Sequence, residues 1–162
     1  MLIICLLLSI IFFFLGRAYE FSANNKRQYP VHWLEYQTKC LQDAMNANKE
    51  KGRTLQPFFT NNEHKRIVVY GIGGIYFDFF SSDIDKQYFD EIYLADSNNA
   101  EYSKKLGKKI YAKEELLELL FDVIVVTSVS HFQEINNELK ELGISKEIVS
   151  YSDLVFNASK ED

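Results

Sequence analysis

The last hundred residues of this chain predict an α/β fold around a parallel sheet of about five strands. Three observations carry that expectation. Short β-branched runs alternate with stretches of helical periodicity, which calls for crossover connections and helices on the faces of a sheet. One run, Asp122 to Thr127, has an unbroken apolar centre (Val123-Ile124-Val125-Val126), as in strands covered on both faces. The first run passes directly into Gly71-Ile72-Gly73-Gly74, a glycine turn of the kind that joins a strand to a helix. Right-handed crossovers then favour the strand order 3-2-1-4-5.

Taken in chain order, residues 1–18 come first. Met1 to Leu15 is apolar apart from Ser9 and closes at Gly16 and Arg17. As a helix, residues 1–18 would reach about 27 Å against a hydrocarbon core of about 30 Å, and Arg17 could snorkel across the shortfall. Arg17, Lys26 and Arg27 follow the run and no basic residue precedes it, so a membrane anchor with a cytoplasmic globular part is expected. Two competing readings stay open. Gly16 and Ala18 offer small residues for a cleaved signal, and the run could instead be a buried helix or the result of a truncated start.

Residues 19–62 read as a connection. Trp33 to Lys49 has the pattern of an amphipathic helix, with Trp33, Gln37, Cys40, Leu41, Ala44 and Met45 near one face. Pro57 and the polar stretch from Thr60 to His64 then read as a linker, which places the start of the globular domain, residues 63–162, at Glu63.

Within that domain, Arg66 to Tyr70 is the first expected strand, Glu91 to Ala95 the second, Lys109 to Tyr111 a short third, Asp122 to Thr127 the fourth and Glu147 to Tyr151 the fifth. A leucine-rich helix is expected over Lys113 to Leu120. A second is expected to open with a capping box at Ser130 and Gln133, carry Phe132, Ile135, Leu139 and Leu142 on one stripe, and stop at Gly143. The loops after the first, second and fourth strands meet at the carboxyl edge of such a sheet, where ligands bind. In a dinucleotide-binding turn the first glycine permits a tight bend and the second lets backbone amides approach a pyrophosphate. Gly71 and Gly73 fit those positions, with Gly74 and Ile75 continuing the turn, while Tyr76 replaces the third glycine. Asp96 ends the second strand 25 residues after Gly71, where an acidic residue would bond a ribose hydroxyl. Asp96-Ser97-Asn98-Asn99 also has the composition of a plain turn. Ser97 and Ser128 complete the candidate rim. His131 is the ring nearest it, with no partner carboxylate or nucleophile assignable, so no catalytic residue is named.

Composition narrows the function classes. Residues 65–162 hold eleven basic and eighteen acidic side chains, a net charge of −7, and a field of that sign disfavours nucleic acid. Cys5 and Cys40 form no C-x-x-C, and His32, His64 and His131 have no zinc-ligand spacing, so no metal is expected.

Ile67–Gly74 (IVVYGIGG), Ala95–Asn99 (ADSNN), Gly107–Ile110 (GKKI), Phe121–Ser128 (FDVIVVTS) and Glu134–Ile144 (EINNELKELGI) together resemble the small Rossmann-like domain of bacterial surface-polysaccharide and nucleotide-sugar processing proteins. The resemblance implies NAD(P) or a nucleotide-sugar as ligand. It implies a phosphate held by Gly71, Gly73 and Gly74, a ribose or base on Asp96, and a glycan-biosynthesis enzyme as partner. The chain lacks the Tyr-x-x-x-Lys pair of sugar epimerases and ends after the first half of the architecture. Whether it is an enzyme stays open. A methyltransferase using S-adenosylmethionine also places a glycine turn after its first strand and an acid after its second, and an interaction module that binds no ligand is a third reading.

Overall fold

The computed structural model describes Trp33, residues 35–76 and residues 84–160. The apolar run over residues 1–18 lies outside the described residues. None of the described helices is long and apolar enough to cross a membrane. The chain divides into two compact units, Met1–Lys39 and Cys40–Asp162. In the first, Trp33 and residues 35–39 are helical, and the Trp33 and Tyr36 rings stack with centroids 5.9 Å apart.

The second unit opens with a helix over residues 40–50 (α1). It continues through α2 (Gln56–Asn61), β1 (Arg66–Tyr70), β2 (Glu91–Ala95), α3 (Asn99–Leu106), β3 (Val123–Val126), α4 (Phe132–Glu141), β4 (Glu147–Ser150) and α5 (Tyr151–Ala158). The four strands form a parallel sheet ordered β2-β1-β3-β4, a Rossmann-like arrangement with β1 and β3 in the centre. Ile67, Val68 and Val69 of β1 and Val123, Ile124 and Val125 of β3 have no exposed surface, because successive side chains point to opposite faces and both faces are covered. Ile67, Val69, Val123 and Val125 pack on one side with Leu41, Leu55, Phe59, Tyr151 and Val155. Val68, Ile124 and Val126 pack on the other with Leu116, Phe121, Leu139 and Ile144. Each aliphatic side chain so buried contributes about 1.5–3 kcal/mol.

Several details differ from the sequence-based expectation, among them the expected fourth strand, which is one residue shorter at each end, Val123–Val126. The sheet has four strands, not about five: the expected third strand is reduced to a single parallel bridge between Ala95 and Tyr111. Only Ile110 of Lys109-Ile110-Tyr111 is buried, so there is no apolar face to extend the pairing. The expected helix over Lys113 to Leu120 is a 3-10 helix, Glu114–Glu118. It buries Leu116 and leaves Leu117 and Leu120 exposed, too little burial to hold a longer helix in place. Ser130 does not cap α4. The cap is His131, whose Nδ1 lies 3.2 Å from Glu134 Oε2. The fifth expected strand ends one residue early, with Tyr151 opening α5. The stop at Gly143 has the expected form: the amides of Gly143 and Ile144 return to the carbonyls of Lys140 and Leu139, with Gly143 at φ +99°.

Residues 40–62 belong to the core. Leu41 and Phe59 are fully buried and Leu55 nearly so. Asn48 donates from Nδ2 to Val155 O at 3.0 Å and Arg53 from NH1 to Ser159 O at 2.9 Å, fastening the end of α1 and the turn after it to α5. His64, also buried, sits 3.1 Å from Glu147 Oε2 on β4. Phe59→Ala is therefore expected to lower unfolding free energy in denaturant by about 3–5 kcal/mol, a cost that a residue in an external tether would not show.

The amino ends of the central strands are joined by Asp122. Its Oδ2 accepts from the amides of Lys65 and Arg66 at 2.9 and 2.8 Å, and its Oδ1 from the Arg66 guanidinium at 2.8 Å. Burial pushes this carboxyl up, but the Arg66 side chain and the two amides outweigh it and hold the pKa at about 2. A depressed carboxylate pKa stabilises the fold above the unfolded-state value and loses that contribution as pH falls through the folded one. The stability advantage of the wild type over Asp122→Asn should thus be constant at neutral pH and shrink between about pH 4 and pH 2, measured by thermal unfolding across that range.

Candidate functional site

The carboxyl edge brings together the loops after β1, β2 and β3. β1 ends at Tyr70, and Gly71 turns away with φ +100°, a conformation that L side chains rarely adopt. The bend is also crowded. A Cβ on Gly71 would stand 3.0 Å from Thr127 Oγ1 and 3.5 Å from Ser128 N. Glycine is required here for both reasons. The Thr127 hydroxyl donates to the Gly71 carbonyl, the Thr127 amide donates to Tyr70 O at 2.9 Å, and the Gly71 amide donates to Ala95 O at 2.9 Å. The bend is thus tied to both neighbouring strands. Ser128 lies beside it, half-buried.

Asp96 follows β2 and is 8% exposed. Its Oδ2 accepts from the Ile72 amide at 2.6 Å and its Oδ1 from the Asn98 amide at 2.8 Å. Its own amide donates to Tyr111 O at 3.1 Å. The carboxylate thus lies across from the glycine bend, as its spacing suggests, but both oxygens are engaged by backbone donors. One bond fixes the direction in which the β1 loop leaves the sheet. The other closes an Asx-type turn that leads into α3.

Beyond Ile72 the loop opens. Gly73 and Gly74 are exposed, and a Cβ on either would meet nothing within 4 Å. Helical backbone begins at residue 74. Ile75 and Tyr76 are half-buried and pack against the α1/α2/α5 side of the core, and burial raises the Tyr76 phenol pKa. Ser97 is exposed, as is His131.

The expected residues therefore fall into two groups. Gly71 and Asp96 hold the edge together, while Gly73, Gly74, Ser97 and Ser128 are left around its accessible part. Thr127 is the residue that sequence reasoning passed over. Its signal is a hydroxyl directly after an apolar strand, opposite the glycine that directly follows the neighbouring strand. Among the described residues, no group of three or more His, Cys, Asp and Glu side chains is placed to hold a metal ion.

Gly71→Ala should cost about 1–3 kcal/mol from the left-handed backbone alone, with the Thr127 clash added. Asp96→Ala should cost about 1.5–3 kcal/mol through its lost charge-assisted bonds. Gly73→Ala, which adds a methyl group to open space, should leave the denaturation midpoint within the range of neutral surface changes, about ±0.5 kcal/mol.

No curated protein matches the sequence. A solved structure similar to it is that of a chorismate mutase/shikimate 5-dehydrogenase fusion protein from Clostridium acetobutylicum, at 19% identity and a TM-score of 0.37. The alignment covers 75% of this chain and 53% of that one, so the chain spans about half the length of the fusion protein. Residues 63–149 match the family model described as C2185-like, N-terminal; that is more than half of the sequence, and the chain belongs to the C2185-like family.

Proposed function

We propose that the carboxyl edge of the sheet binds a phosphate-bearing nucleotide, whether a mononucleotide, a nucleotide-sugar or NAD(P), with the phosphate on the Gly73–Gly74 turn. The observation that supports this reading is the contrast within one loop. Gly71 and Ile72 are locked to the neighbouring strands, whereas Gly73 and Gly74 stand exposed beside open space. A fixed bend that presents unobstructed backbone can take up an anion without reorganising. Ile75, Ser97 and Ser128 would border the ligand. Asp96 would act first as the clamp on the bend, and a ribose hydroxyl would have to share its carboxylate with the Ile72 amide.

The apolar run over residues 1–18 supports a membrane tether, with the domain on the cytoplasmic side. The resemblance in the glycine turn, the ADSNN segment and the later strands supports an accessory role beside an enzyme of surface-glycan synthesis. A second reading, an interaction module that binds no ligand, draws support from Asp96, since a carboxylate satisfied by two amides needs no ligand to be stable.

Thermal unfolding of the full chain in mild detergent separates these readings. A ligand present at about a hundred times its Kd adds about 2.7 kcal/mol to the apparent stability. NAD(P)H or a nucleotide-sugar should raise the midpoint in the wild type and not in Gly73→Val, whose unliganded midpoint should match the wild type. A response to S-adenosylmethionine alone would point to a methyltransferase, and no response to any of them to the interaction module. For the tether, the full chain should sediment with membranes and require detergent for release; recovery in the soluble fraction would remove that part of the proposal.

A further inference from the structure

β4 is the last strand of the sheet, and no described strand pairs with its far side. In an edge strand every second residue turns its N–H and C=O outward, which is a template for a further strand. All four residues of β4, Glu147 to Ser150, line a groove of about 500 Å³.

The walls of the groove differ in chemistry. On the α2/α5 side stand Phe58 and Leu154 together with two carboxylates, Glu147 and Asp153, and on the other side stands Phe132. The lining contains no lysine or arginine. Asp153 is exposed, in the first turn of α5. Glu147 is half-exposed and faces His64 with one oxygen. The surrounding domain is acidic as well.

We propose that this groove takes an extended, basic segment of a partner polypeptide, which adds to β4 as a fifth strand. Its backbone would continue the sheet, and alternate side chains would point to opposite walls. Lysines or arginines on one side would lay their stems over Phe58 and Leu154 and place their charges at Glu147 and Asp153. Apolar residues on the other side would meet Phe132. Two carboxylates in a lining without lysine or arginine, one of them also facing His64, select against an acidic segment and against a second copy of this acidic chain.

The test is fluorescence anisotropy of the full chain with a labelled peptide of alternating lysine and valine, six residues long. Saturable binding is expected. Asp153→Lys, a change at an exposed helix position, should weaken it about tenfold while circular dichroism stays unchanged. Two control peptides act on the ligand and leave the fold untouched. One replaces lysine by glutamate, and the other carries N-methyl groups on alternate amides. Both should bind far more weakly. Absence of binding by the lysine-valine peptide, equal binding by either control, or insensitivity to Asp153→Lys would overturn the proposal. Light scattering that shows a dimer which the peptide dissociates would also overturn it, because the edge would then belong to a second copy. The outcome is independent of the glycine turn, which lies on another edge of the molecule.

Discussion

The burial of β1 from Ile67 to Tyr70 is the constraint on which the rest of the structure depends. A strand with no exposed surface over Ile67–Val69 leaves its backbone polar groups no access to water, so every one must be matched by a neighbour. β2 and β3 satisfy them along its length. At the ends the ladder runs out, and side chains take over. Asp122 receives the amides at the entry and Asp96 receives the Ile72 amide at the exit. The same desolvation that makes the strand stable thus dictates a carboxylate at either end. The candidate site is built from what the exit requires.

This origin explains why the chemistry of the edge is divided. The groups that a ligand would find most attractive in an isolated loop are consumed in holding the loop, and what remains open is the next pair of residues. An acidic side chain beside a glycine turn can therefore serve the protein's own backbone as readily as a ribose. The geometry distinguishes the two roles where the spacing does not.

The central strands were legible because β-branched residues dominate them. Val123–Val126 has no other plausible setting than the interior of a sheet, and Gly143 stops α4 by a local mechanism that its neighbours cannot alter. What failed to be legible was decided by packing. Lys113 to Leu120 has helical composition, yet only Leu116 finds a buried place, so the segment winds more tightly and briefly. Ser130 is a good cap by type, but the helix begins one residue later, with His131 at the cap position. Before Glu63, Leu41 lies on the face that the amphipathic pattern marks, whereas the burial of Leu55 and Phe59 was not legible, because the segment around Pro57 is too short to show a period. At the site, the positions of Gly71 and Asp96 could be read from spacing. The inward aim of the Asp96 carboxylate and the part played by Thr127 could not, since both depend on how close the loops come in space.

The fastening of α1 to α5 has a consequence for how the chain is made. Asn48 reaches Val155 across 107 positions and Arg53 reaches Ser159 across 106. The polar fastening at the end of α1 therefore cannot form until almost the last described residues have been made. Closing so long a loop is costly in entropy and slow. Nascent chains that stall before α5 would consequently be the species most dependent on chaperones and most open to proteolysis.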